Sequence, residues 1–134
     1  MIGQASVIDG DTIEIHGVRI RLHGIDAPEG RQLCFEDGKP WRCGQQAALA
    51  LADKLARRTV TCQPRRTDRY ARTLATCFIG RENVNAWLVA EGWALAYRAY
   101  STRYVADEAT ARKEHRGIWR GTFEPPWIWR ERNR

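Results

Sequence analysis

Apolar residues recur at every second position in the first thirty residues and at every third or fourth position from Gly44 to Arg58. That change of period near Gly44 constrains the fold more than any other feature. Ala5 to Ile8 is apolar but for Ser6, Ile13 and Ile15 alternate with polar neighbours, and Val18, Ile20 and Leu22 alternate with Arg19 and Arg21. This pattern predicts β structure over the first thirty residues, turned at Asp9-Gly10 and His16-Gly17. From Gly44 to Arg58 the period becomes helical, with Ala48, Leu51, Ala52 and Leu55 on one face and Arg57 and Arg58 set favourably against the dipole. Thr59 to Gln63 and Thr73 to Ile79 read as a β-hairpin with a long charged connection. Val84, Trp87, Leu88 and Glu91 keep helical spacing up to a C-capping Gly92, and a third helix is expected from about Tyr104 to His115, closed by Gly117. Phe123 to Trp129 holds two prolines and two tryptophans, which suits an extended arm packed on the body. Strands first and helices later, without βαβ alternation, imply an α+β fold: a five-stranded OB-type β-barrel with three α-helices.

The 134 residues suffice for one domain, here residues 1–120 with 121–134 as the arm on the same domain. Hydrophobic residues at 43% and charged residues at 28% exclude wholesale disorder. No apolar run approaches the roughly 18 residues of a membrane span. The net charge of +6 attracts polyanions, whether nucleic acid, anionic glycan or acidic lipid. Lysine occurs only at Lys39, Lys54 and Lys113, so the basic charge is almost all arginine. That suits bidentate phosphate binding, and an arginine-biased genome explains it equally well.

Three stretches concentrate polar residues that a plain fold does not need. Asp9-Gly10-Asp11-Thr12 joins two strands, and alone it reads as a hairpin turn. Arg21-Leu22-His23-Gly24-Ile25-Asp26-Ala27-Pro28-Glu29 places one arginine opposite the apolar face and two carboxylates at a strand end, which alone reads as a surface salt-bridge cluster. Arg65-Arg66-Thr67-Asp68-Arg69-Tyr70-Ala71-Arg72 sets four arginines about one aromatic ring, either a solvated hairpin tip or a seat for phosphates with a base on Tyr70. Phosphodiester hydrolysis needs a cation on the non-bridging oxygens, donors for the charge of the pentacoordinate transition state, and a carboxylate to activate water. Asp11 and Asp26 are hard oxygen ligands suited to Ca²⁺, Arg21 and Arg72 can clamp a phosphate, and Glu29 remains as the base.

With these three stretches in order, the chain resembles the staphylococcal nuclease, or thermonuclease, family. The motifs are Val7-Ile8-Asp9-Gly10-Asp11-Thr12, Ile20 to Glu29, and Arg66-Thr67-Asp68-Arg69-Tyr70-Ala71-Arg72, and the resemblance covers about residues 4 to 119. It implies that Asp11, Asp26 and the carbonyl of Ala27 hold Ca²⁺, that Arg21 and Arg72 contact the scissile phosphate, and that Glu29 is the general base. Arg69 and Tyr70 stand where the family has a nucleotide-binding lysine–tyrosine pair. Tyr100 matches one of two base-pocket tyrosines; the other position falls on Arg98 unless Tyr97 has shifted in. Ala71 replaces the family's usual glycine, which matters if that backbone takes a positive φ. The implied activity is Ca²⁺-dependent, sequence-tolerant hydrolysis of DNA and RNA leaving 3′-phosphate ends, by a monomer acting on single-stranded or locally open nucleic acid, with no membrane involved. A non-catalytic OB-fold nucleic-acid-binding module is the alternative, and a glycan or membrane-surface binder explains the charge but none of the carboxylates.

The cysteines, Cys34, Cys43, Cys62 and Cys77, lack the short spacing of zinc and redox motifs, so two disulfides in an oxidising compartment are expected. Three connectivities are open, and local pairing is favoured: Cys34 with Cys43 across the loop after Glu29, Cys62 with Cys77 across the hairpin. A periplasmic or secreted location follows, with any leader removed ahead of Met1. His16, His23 and His115 are scattered and are assigned surface or packing roles. The tryptophans are assigned to packing, with Trp41 singled out for its place in the loop beside the presumed base.

Overall fold

A computed structural model describes residues 1–134. Along the chain run β1 (Ile2–Gly3), β2 (Ser6–Asp9), β3 (Thr12–Ile15), β4 (Val18–Leu22), β5 (Ile25–Asp26), β6 (Cys34–Glu36), β7 (Lys39–Trp41) and helix α1 (Cys43–Leu55). Then follow β8 (Val60–Thr67), β9 (Thr73–Ile79), β10 (Glu82–Asn83), α2 (Val84–Ala90), β11 (Leu95–Ala96), α3 (Val105–Lys113), a 3₁₀ turn at Gly117–Arg120 and α4 (Pro126–Arg132). The main sheet runs β1-β8-β9-β4-β3-β2, with β10 also on β9, and curls as an open half-barrel of OB type in an α+β fold. Every pair in it is antiparallel except β4 with β9, where Ile20 faces Thr73 and Arg21 faces Leu74. That parallel pairing brings Arg21 and the end of the arginine-rich stretch to adjacent strands.

Ile13, Ile15, Ile20 and Leu22 from β3 and β4 are essentially inaccessible and pack against Leu51 and Leu55 of α1 and Leu88 of α2. The buried stripe of α1 is Cys43, Gly44, Ala47, Leu51 and Leu55. Ala52, assigned to that face from the sequence, is exposed, because the stripe advances in steps of three and four that leave it one residue off the seam. Gly44 is required: a Cβ there would lie 1.7 Å from the carbonyl oxygen of Glu29, so the first turn of α1 rests directly on that backbone. Asn85 of α2 is wholly buried and ties three backbones together. Its Oδ1 accepts from the Cys77 amide at 3.1 Å, and its Nδ2 donates to the carbonyls of His23 at 3.0 Å and Ala75 at 3.1 Å.

Three elements depart from the sequence reading, the first being β8, which runs on to Thr67 and leaves only residues 68–72 as its connection to β9. The loop from Gly30 to Cys43 contains a small hairpin, β6–β7, and Cys34 and Cys43 are bonded across it with Cα atoms 5.6 Å apart. The C-terminal arm is helical from Pro126, giving four α-helices in place of three, because proline at the first helical position lacks only an amide that has no intrahelical partner there. Cys62 and Cys77 are directly opposed in the β8–β9 register and bonded, with Cα atoms 4.0 Å apart. No helix is long and apolar enough to cross a membrane.

Candidate active site

Asp11 closes the tight turn between β2 and β3, and its position follows from small neighbours. A Cβ on Gly10 would meet those of Ala27 at 2.8 Å and Ala47 at 3.0 Å, so glycine lets the turn lie against both. Asp9 Oδ1 accepts from the Asp11 amide at 3.1 Å, and Asp11 Oδ2 accepts from the Ala27 amide at 2.8 Å. Arg21 leaves β4 on the polar side and is buried between two acids, 2.9 Å from Asp11 Oδ2 and 3.2 Å from Asp26 Oδ1. Glu29 is set by Gln32, whose side-chain oxygen accepts from the Glu29 amide at 3.1 Å while its backbone N–H donates to the Glu29 carbonyl at 2.8 Å.

The arginine-rich stretch turns on Asp68. Its carboxylate accepts from the amides of Tyr70 and Arg72, each at 2.9 Å, and from Arg72 Nε at 2.9 Å. Although desolvation works the other way, these bonds and the Arg72 charge hold the Asp68 carboxyl below its usual range. Arg69 and Arg72 both lie over the Tyr70 ring, and Arg66 lies over Tyr100 at 4.7 Å. Ala71 adopts φ +63°, so the departure from glycine falls on a left-handed position.

One cleft of about 550 Å³ collects these groups: Asp9, Asp11, Arg21, Glu29, Arg69, Tyr70, Arg72, Tyr97 and Tyr100 line it together with Arg66 and Arg130. Asp26 is fully buried and reached through Arg21; Ala27 is buried and bound to Asp11. Tyr97 lines the cleft with its ring 5.0 Å from that of Tyr100, whereas Arg98 is engaged by Glu108. Trp41 does not line the cleft. It packs edge-on against Trp93 at 6.3 Å beneath Arg120, because β7 turns it into a second apolar cluster.

Arg130 of α4 is absent from the sequence reading. Its Nη1 donates to Asp26 Oδ1 at 2.9 Å and Glu29 Oε1 at 2.8 Å, and its Nη2 donates to Asp26 Oδ2 at 2.9 Å. Nothing local links position 130 to position 26; the available signal is an arginine following two tryptophans able to anchor it. Trp127 stacks on Tyr97 at 5.3 Å and Trp129 lies beneath Arg31.

Four carboxylates, Asp9, Asp11, Asp26 and Glu29, thus crowd against two guanidiniums, Arg21 and Arg130. Burial, then the Asp11 charge, pushes the Asp9 carboxyl up to about 7. Burial also pushes Asp26 up to about 6, against the bond from Arg130. Asp11 is held low, the Arg21 charge and its hydrogen bonds overcoming its burial. No three His, Cys, Asp or Glu side chains converge as a ready cage. The donor set is nevertheless hard, anionic oxygen in excess of its counter-charge, which fits a divalent cation such as Ca²⁺ with further oxygen ligands supplied by backbone and water.

The fold and cleft define a class: an α+β domain of OB type whose cleft sets arginines against buried carboxylates. A family model described as staphylococcal nuclease homologue matches residues 19–121. The chain belongs to that family. It is 44% identical to the succinoglycan biosynthesis protein ExoI of Rhizobium meliloti over 92% of this chain and 67% of that one. It is 39% identical to an uncharacterized endonuclease of Escherichia coli O157:H7, covering 94% of this chain and 82% of that one. With a micrococcal nuclease of Shigella flexneri it shares 34% identity over 92% of this chain and 76% of the other.

Proposed function

We propose that this protein is a Ca²⁺-dependent nuclease that hydrolyses DNA and RNA phosphodiesters with little sequence preference and leaves 3′-phosphate ends. The observation that carries the reading is the gathering of Glu29, Arg21 and Arg72 in one cleft, with Asp11 in the same wall and Asp26 beneath. Asp11, Asp26 and the Ala27 carbonyl would hold the cation, which when bound supplies positive charge to a non-bridging phosphate oxygen. Glu29 takes a proton from the attacking water, the new P–O bond forms, and the bond to the 5′ oxygen breaks, that oxygen leaving with a proton from solvent. Arg21 and Arg72 donate to the equatorial oxygens, where charge grows most in the transition state. Asp68 fixes Arg72 on two sides, so little reorganisation accompanies that step. Arg69, Tyr70 and Tyr100 offer charge and ring faces to the neighbouring nucleotide.

Two disulfides suit a periplasmic or secreted enzyme. The decisive experiment is cleavage of end-labelled single-stranded DNA and RNA with Ca²⁺, Mg²⁺ or excess EGTA. Calcium alone should support full turnover, and the products should gain a ligatable 3′ hydroxyl only after phosphatase treatment. One observation favours a non-catalytic binding module, namely that Arg130 occupies both Asp26 and Glu29; binding of oligonucleotide without cleavage under any metal would select it.

A further inference from the structure

We propose that Arg130 is the resident counter-cation of the carboxylate site, holding Asp26 and Glu29 when no metal is present and giving them up when a divalent cation binds. The proposal rests on the assignment of Asp11 and Asp26 as the cation's ligands, and adds that the C-terminal helix and the cation compete for one of them. Both oxygens of Asp26 accept from Arg130, and one of them accepts from Arg21 as well. A cation that takes an Asp26 oxygen either removes a guanidinium hydrogen bond or shares the oxygen with one, and in both cases sits beside a like charge within contact distance of the same carboxylate. The third bond, to Glu29 Oε1 at 2.8 Å, extends the clamp from the cation site to the base.

The means of release are also present. Helix α4 has seven residues, and Pro126 is its only buried residue. It is tethered by the Trp127–Tyr97 stack, by Arg31 over Trp129 and by the bond from Gln32 to the Glu124 carbonyl at 2.8 Å. Arg130 itself is 36% exposed in its side chain and lines the same cleft as Arg21 and Arg72. On release it has the cleft to turn into, and its charge stays near any phosphate there.

The test is Ca²⁺ titration by calorimetry, without substrate, of the wild type, Arg130→Ala, Arg130→Lys and Asp26→Asn, each first shown to be folded by its thermal melt. Arg130→Ala should bind Ca²⁺ at least about tenfold more tightly than the wild type, since a tenfold change corresponds to only about 1.4 kcal/mol of relieved competition. Arg130→Lys, which keeps one charge but loses the fork, should fall between them. In the wild type, and not in Arg130→Ala, Ca²⁺ should also change the fluorescence of Trp127 and Trp129 as the helix is displaced. Equal or weaker calcium binding by Arg130→Ala overturns the competition while leaving the cation site standing, because a purely structural Arg130 predicts that result. Absence of calcium binding by both the wild type and Arg130→Ala, or undiminished binding by Asp26→Asn, overturns the cation assignment and the competition with it.

Discussion

Glu29 and Arg72 enter one cleft from segments more than forty residues apart, and they should fail differently when removed. Glu29→Gln keeps an oxygen for Arg130 and a group of the same shape but cannot take a proton, so single-turnover cleavage should fall by about 10²–10⁴ with nucleotide affinity nearly unchanged. Arg72→Ala should lose at least as much rate and only a little more affinity, since Arg66 and Arg69 line the same cleft. Equilibrium binding of a nucleotide inhibitor beside the single-turnover assay checks both. Ala71→Gly should stabilise the protein by about 0.5–1 kcal/mol in urea denaturation, because glycine takes φ +63° without the clash an alanine Cβ suffers. Asp11, Arg21, Asp26 and Glu29 are legible in the sequence because they sit on consecutive short strands and turns whose spacing places them side by side. Arg130 is not legible, because its bonds to Asp26 span 104 residues and depend on where two tryptophans dock. Gln32 is missed for another reason: its role is to satisfy backbone groups that only the folded loop brings to it.

At the scale of elements, hydrophobic period identifies α1 and α2, which bury one face on the sheet, and the β8–β9 hairpin, whereas α3 packs on α2 with Ala111 as its one buried residue. The period does not identify α4, whose two prolines read as breakers until one is seen to start the helix. Nor does it identify β6–β7, three residues each, too short for a period to show. The hairpin β8–β9 carries the arginine-rich stretch in the end of β8 and in its connection, and the Cys62–Cys77 bond closes that loop near its base. A chain-entropy estimate for a loop of this length is about 3 kcal/mol, so Cys62→Ser with Cys77→Ser should lower the denaturant midpoint accordingly. Cleavage by the folded fraction should persist, since Asp68 rather than the disulfide orients Arg72. Denaturation curves and specific activity at low denaturant test the two halves of this expectation.

For the whole molecule, two of the crowded carboxylates, Asp9 and Asp26, impose a pH dependence of definite sign. Asp9 at about 7 and Asp26 at about 6 bind protons more tightly in the folded state than at their ordinary 3.8 in the unfolded chain. Their contribution to stability is therefore complete below about pH 4 and lost as the pH rises through 6 and 7. Without calcium, the melting temperature should fall between pH 5 and pH 8, and added Ca²⁺ should raise it most at the upper end, where protons no longer compete. Thermal melts across that range, with Ca²⁺ and with EGTA, measure the effect; a calcium increment that grows as the pH falls contradicts it.

The parallel pairing of β4 with β9 carries a consequence for biosynthesis. Its registered residues, Ile20 with Thr73 and Leu22 with Ala75, lie 53 positions apart, so β4 waits for β9 to leave the ribosome before that edge is paired. An emerging chain that ends before β9 has Asp11 and Arg21 but no neighbouring strand to carry Arg72 beside them. The order of the strands thus keeps the two arginines apart until β9 has been made.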